Sequence, residues 1–269
     1  MTAQEKLTKK NNEQKLICVG LDSDINKIPS ILRSESSPIL KFNKAIIEST
    51  HKYAAAYKLN FAFYEKVGTK GFEIIEETIR LIPEELLIIA DAKRGDIGNT
   101  SQMYASAVYD YFKFDAVTIH PYMGYDSIAP FLEYIDKLNL VLALTSNKGA
   151  DDFEKLKLID GTFVYQNVIK KVNRWNTNNN CGIVFGATQT EELSQNIKLF
   201  SNLPVLLPGV GAQGGDIEDV VKLFKKNNRL NLLINSSRGI LYKDNSSKFA
   251  EAAEKEIINL NETVKNILR

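Results

Sequence analysis

Histidine and cysteine are nearly missing from this chain, with two of each in 269 residues. Cys18 and Cys181 sit singly in apolar runs, outside any C-x-x-C or other metal-ligand spacing, and His51 and His120 have no ligand-like spacing either. Nothing supports a disulfide framework or a structural zinc site, and both cysteines are expected as reduced core residues. An excess of one charge is missing too. Lysine plus arginine number 34 against 33 acids, so no basic field points to nucleic acid or an anionic membrane, and the expected partner is a small molecule. No apolar run reaches the roughly 18 residues of a membrane helix, and no charged-then-apolar leader stands at the amino end. The expectation is a soluble, cytoplasmic protein.

What is present is concentrated in residues 86–100, LLIIADAKRGDIGNT. Residues 86–90 form an unbroken apolar run of strand length, which suits a parallel strand covered on both faces. It runs directly into charge. Side chains alternate along a strand, so Asp91 and Lys93 fall on one side and Ala90 and Ala92 on the other. Gly95 allows a sharp turn, and Asp96 completes a D-x-K-x-x-D spacing before a helix expected over 100–112. A structural account exists: Asp91 with Lys93 as a strand-end ion pair, and Asp96 or Asn99 as a helix cap. The density of two acids, a lysine and an arginine after one apolar strand favours a functional site.

Along the rest of the chain, strands are expected at 16–21, 54–60, 115–120, 140–145, 181–187, 205–207 and 230–234, alternating with helices. Helices are expected over 38–53, 71–81, 125–137, 162–175, 190–200, 216–226 and 247–268, with Asp216 as a cap. Residues 2–14 are polar and read as a short helical arm outside the core, and the polar run 148–161 is a candidate lid or insertion. Eight strands alternating with helices in this length fit one closed (β/α)8 TIM barrel over residues 1–269, with 1–15 as the arm, better than an open sheet. Polar residues mark the strand ends, namely Asp22, Lys58, Asp91, Lys93, Ser146, Gln213 and Arg238, and a barrel brings those ends to one face.

Residues 208–216, PGVGAQGGD, place four glycines in nine residues ahead of a helix. Tight turning alone accounts for some of them, but main-chain N–H groups at such a helix start also bind anions. One strand later, NSSRG at 235–239 sets Arg238 beside two serines. The loops after strands seven and eight are where barrels commonly hold phosphate, and a guanidinium fork suits its oxygens.

Taken together, DAKRGDIGNT (91–100), TSN (145–147), PGVGAQGGD (208–216) and NSSRG (235–239) resemble the orotidine 5′-phosphate decarboxylase family. HPYMGYDS (120–127) and TSNKGADDF (145–153) are similar to its longer bacterial branch, with Lys148 where that branch often has proline. The resemblance runs from about residue 16 onward. It implies a charged network of Lys58, Asp91, Lys93 and Asp96, with Asp96 and Thr100 supplied by the second subunit of a homodimer. It further implies Asp22 and Lys58 at the ribose, Ser146 at the pyrimidine edge, Gln213 and Arg238 at the phosphate, and Lys93 as proton donor. No metal or cofactor is implied.

The chemistry agrees with the residue types. Losing CO2 from C6 of orotate leaves charge in the ring plane, outside the reach of the π-system, so the protein must supply the electrostatics. A fixed ammonium stabilises that charge and then protonates it. The alternatives are a metal-dependent sugar-phosphate barrel enzyme, a non-enzymatic phosphate-ligand binding protein, and a Schiff-base lysine, the last disfavoured because adjacent acids keep a lysine protonated.

Overall fold

The structure, a computed structural model, describes residues 1–209 and 216–269. Eight strands close into a parallel barrel in chain order: β1 (Ile17–Gly20), β2 (Ala56–Asn60), β3 (Leu87–Arg94), β4 (Ala116–Ile119), β5 (Leu138–Leu144), β6 (Cys181–Phe185), β7 (Val205–Pro208) and β8 (Leu232–Ser236). β1 closes the ring on β8 through Ile17 opposite Ile234 and Cys18 opposite Asn235. Alternation along each strand makes two cores. Cys18, Ala56, Ile89, Ala116, Leu140, Val184, Leu206 and Leu233 fill the barrel, while Ile17, Val19, Tyr57, Ile88, Val117 and Ile183 pack outward beneath the helices. Both cysteines are free and buried. Among the described residues no helix is long and apolar enough to cross a membrane.

Two helices depart from expectation. Residues 125–137 form only Ala129–Leu132, because turns at Pro121 and Gly124 delay its start and Asn180 Nδ2 donates to the carbonyls of Leu132 (2.9 Å) and Tyr134 (3.3 Å). The helix after β3 begins early, at Gly98, and passes into a π-helical turn, Ala107–Tyr111. Neither Asp96 nor Asn99 caps it. Its first residue follows Ile97, and Asp96 Oδ1 instead accepts the adjacent N–H of Ile97 at 2.8 Å. Asp216 does cap its helix, Ile217–Lys226, accepting from Glu218 N at 2.7 Å.

The amino-terminal segment is not an arm outside the core. Thr2 and Glu5 form a capping box that starts a helix, Ala3–Asn12, and its Ala3 and Leu7 join the interior cluster with Cys18, Leu87 and Leu138. Lys6 Nζ lies 2.9 Å from both oxygens of Asp115, whose Oδ2 also accepts the N–H of Ile88 at 2.9 Å. This helix covers the barrel end opposite the charged strand ends. Its polar average hid this role, since only two small apolar contacts, four residues apart, make the plug. Leu7→Ala should cost about 2–3 kcal/mol in denaturant unfolding, as expected for emptying a fully buried leucine site; an unchanged midpoint would mean the helix is dispensable to the core.

Candidate active site

The carboxyl-terminal strand ends surround one cavity of about 300 Å³, lined among the described residues by Asp22, Lys58, Asn60, Asp91, Lys93, Thr118, Ser146, Asn147, Asn235, Ser237 and Arg238, over an apolar floor of Leu142, Val184 and Leu206. Strand register produces this set. Lys58 pairs with Gly20 on one side and Ile89 on the other, so it projects inward two residues above Ala56, as Asp91 does two above Ile89.

The charges form a row. Lys58 Nζ lies 2.6 Å from Asp91 Oδ2 and 3.4 Å from Asp22 Oδ1, and Lys93 Nζ lies 2.5 Å from Asp91 Oδ1. Thr118 Oγ1 donates to Asp91 Oδ1 at 3.0 Å. The two lysines differ in access, since the Lys58 side chain is 4% exposed and that of Lys93 is 49% exposed. Burial on its own would raise the Asp91 carboxyl, but the ammonium groups of Lys58 and Lys93 outweigh it and hold Asp91 well below the usual carboxylate range. Burial would likewise lower Lys58, and Asp91 with Asp22 reverse that and keep it charged far into the basic range.

These shifts set a pH dependence of stability. A depressed acid stabilises the fold fully above its ordinary value of 3.8, and that contribution is lost as pH falls toward the folded-state value. Lys58 is the mirror case, stabilising below its ordinary 10.5 and ceasing to do so as pH rises through its elevated value. Asp91→Asn should therefore cost about 3 kcal/mol at neutral pH, since a buried ammonium loses its closest partner. In unfolding series run against pH, the gap between wild type and variant should narrow below about pH 4; a gap constant to low pH would refute the assignment.

Lys93 has φ 49°, in the left-handed region that non-glycine residues occupy rarely, and its N–H donates to Thr118 Oγ1 at 3.1 Å. It falls within β3, where the register on β4 shifts between Ala90 and Arg94, ahead of the turn expected at Gly95. Gly95 is needed for a different reason: a Cβ there would stand 2.8 Å from the carbonyl oxygen of His120. Arg94 is turned away from the cavity, pairing with Glu65 and lying over the rings of Phe61 and Tyr104 at 5.6 and 5.4 Å.

Ser146 is presented by a fixed loop. Glu154 accepts from Thr145 N at 2.7 Å and from Thr145 Oγ1 at 3.0 Å, and a Cβ on Gly186 would meet Ser146 N at 2.9 Å. The polar run expected as a lid or insertion thus supplies, through Glu154, a brace for this loop; it contains the helix Ala150–Phe153, and its Lys157 makes an antiparallel bridge to Phe163 just beyond it. Arg238 opens the helix Arg238–Leu241 at the cavity edge. Gln213 lies outside the described residues. Asp96 and Thr100 do not line the cavity of their own chain. Sequence reasoning missed Thr118, Asn235 and Ser237 as lining residues; inward alternation from Ala116 and Leu233 was the signal that would have found them.

The sequence profile of the orotidine 5′-phosphate decarboxylase / HUMPS family matches residues 15–253. The chain belongs to that family. It is 49% identical over 256 residues to the orotidine 5′-phosphate decarboxylase of Christiangramia forsetii, covering 94% of this chain and 93% of the relative. It is 44% identical over 272 residues to that of Porphyromonas gingivalis, covering 100% and 98%. The solved structure of Leishmania donovani OMP decarboxylase superposes with a TM-score of 0.80 at 33% identity, covering 97% of this chain and 99% of that one. Family membership and the closed barrel agree with expectation.

Proposed function

We propose that this protein decarboxylates orotidine 5′-monophosphate to uridine 5′-monophosphate and CO2 in pyrimidine synthesis, in the cytoplasm, with Lys93 as the proton donor. The observation that carries the reading is the contrast within the charged row. Lys58 is buried between two carboxylates, whereas Lys93, tied to the same Asp91, is half exposed at the cavity. Both ammonium groups line the cavity, and Lys93 is the more open of the two.

The C6–carboxylate bond breaks, its electron pair stays on C6 in the ring plane, and CO2 departs. The Lys93 ammonium stabilises that charge as it develops and gives C6 its proton, and the amine regains a proton from solvent. Asp91, 2.5 Å from the Lys93 ammonium, keeps it aimed. Two unit charges about 4 Å apart interact by roughly 4 kcal/mol at an effective dielectric near 20, so an acid placed near the substrate carboxylate also raises the ground state. Asp22 and Lys58 hold the ribose hydroxyls, Ser146 the pyrimidine edge, and Arg238 with Gln213 the phosphate. Barrier reductions of about 8–23 kcal/mol exceed what one charge pair supplies, so phosphate binding energy is spent in the transition state.

No metal or organic cofactor takes part in this reading. The Lys58 ammonium already stands between Asp22 and Asp91, where a metal shared by those acids would have to sit. The active unit is a homodimer in which Asp96 and Thr100 reach the partner's cavity. Ile97, next to Asp96 in the chain, and Met103, on the helix that follows, are 62% and 57% exposed, apolar side chains that a second copy would cover. Absorbance loss of orotidine 5′-monophosphate on adding purified protein, with and without a strong chelator, tests the reading. Chelator-insensitive conversion is expected. Chelator-sensitive conversion would overturn metal independence, and binding without conversion would make the chain a phosphate-ligand binding protein.

A further inference from the structure

We propose that Tyr242 is a positioning residue that fixes Asp22 for the ribose by clamping its main chain to the Arg238 segment, a proposal resting on the reaction proposed above. The Tyr242 hydroxyl donates to the carbonyl of Asp22 at 2.9 Å and accepts the N–H of Asp24 at 2.8 Å, so it bridges the two peptide groups on either side of Ser23 and pins the main chain at the Asp22 carbonyl. Tyr242 follows the helix Arg238–Leu241 directly, its own N–H donating to the Arg238 carbonyl at 3.2 Å, and its ring stacks on Phe42 with centroids 6.0 Å apart. One side chain thereby ties the segment that begins with the phosphate-facing arginine to the loop that carries the ribose-facing carboxylate.

The same loop is held from its other face. Tyr64 donates to the carbonyl of Leu21 at 2.8 Å, and the Ser23 hydroxyl donates to Asn43 Oδ1 at 2.6 Å. Asn43 Nδ2 in turn donates to Tyr64 Oη at 3.1 Å and Thr78 Oγ1 at 3.0 Å. Ser23, Asn43, Tyr64 and Thr78 are all buried, so this second anchor is rigid and independent of Tyr242. Tyr242 therefore sets the remaining freedom of residues 22–24, the stretch whose carboxylate lies 3.4 Å from Lys58. A substrate gripped at its phosphate by Arg238 then meets Asp22 at a preset distance, which is how remote binding energy reaches the reacting ring.

The test is a double-mutant cycle of Tyr242→Phe with Asp22→Asn, read in turnover of orotidine 5′-monophosphate and in calorimetric binding of uridine 5′-monophosphate. Phenylalanine keeps the stack on Phe42 and removes only the hydroxyl. Tyr242→Phe alone, which removes both hydrogen bonds of the hydroxyl, is expected to lower kcat/KM about tenfold, with a small change in melting temperature. In the Asp22→Asn background the same change should cost about twofold or less. Equal losses in both backgrounds, with an active wild type, would overturn the clamp and leave the proposed reaction standing. A wild type that binds uridine 5′-monophosphate but turns nothing over would overturn the reaction instead, and the cycle read in binding still decides the clamp.

Discussion

Lys93→Ala should abolish turnover, lowering kcat by about 10⁴-fold or more, while circular dichroism and the melting transition stay close to wild type. The size follows from two losses at once: a positioned general acid is worth about 10²–10⁴-fold, and a preorganised charge aimed at the developing carbanion adds to it. The fold should persist because the Lys93 side chain is half exposed, so its removal leaves no cavity and no stranded buried partner. Asp91 keeps Lys58 at 2.6 Å and Thr118 at 3.0 Å. The same reasoning separates the two lysines. Lys58→Ala would empty a buried position between two acids and destabilise the protein, so its loss of activity would be mixed with loss of structure. Near-normal turnover by folded Lys93→Ala would sink the assignment of the donor.

Mixing inactive Lys93→Ala chains with inactive Asp96→Ala chains should restore about a quarter of wild-type activity, given random exchange between two-fold dimers. In a hybrid, one site combines an intact Lys93 with the other chain's intact Asp96, while its twin lacks both. The expectation rests on placement. Asp96 is two residues beyond the end of β3 and outside the cavity of its own chain, although the D-x-K-x-x-D spacing puts it close in sequence. Its N–H reaches across to the Ser127 carbonyl at 3.4 Å, and its carboxylate accepts the neighbouring Ile97 N–H. No recovery, with subunit exchange demonstrated by labelled chains, would mean that each site is complete within one chain.

The barrel itself was legible because it is written in local pattern. Apolar runs such as those at 16–21 and 86–90 specify buried parallel strands, and their number and alternation with helices leave little choice of topology. Period-two alternation also puts Asp91 and Lys93 on one face, and their 2.5 Å contact agrees. Helix ends were less legible, as at Ala129–Leu132, where a distant asparagine takes the carbonyls that would have continued the turn.

The sequence by itself determined the fold class, the charged strand end and the residue types gathered around the cavity, since each depends on neighbours within a few positions. Only the tertiary structure decided which lysine is buried and which is exposed, that the polar first helix plugs the barrel through Leu7, that Glu154 braces Thr145, and that Tyr242 ties down the Asp22 carbonyl. Those relations join residues far apart in the chain, up to 220 positions for Tyr242 and Asp22. Burial and hydrogen-bond partnership are properties of where strands end in space, which no local pattern encodes.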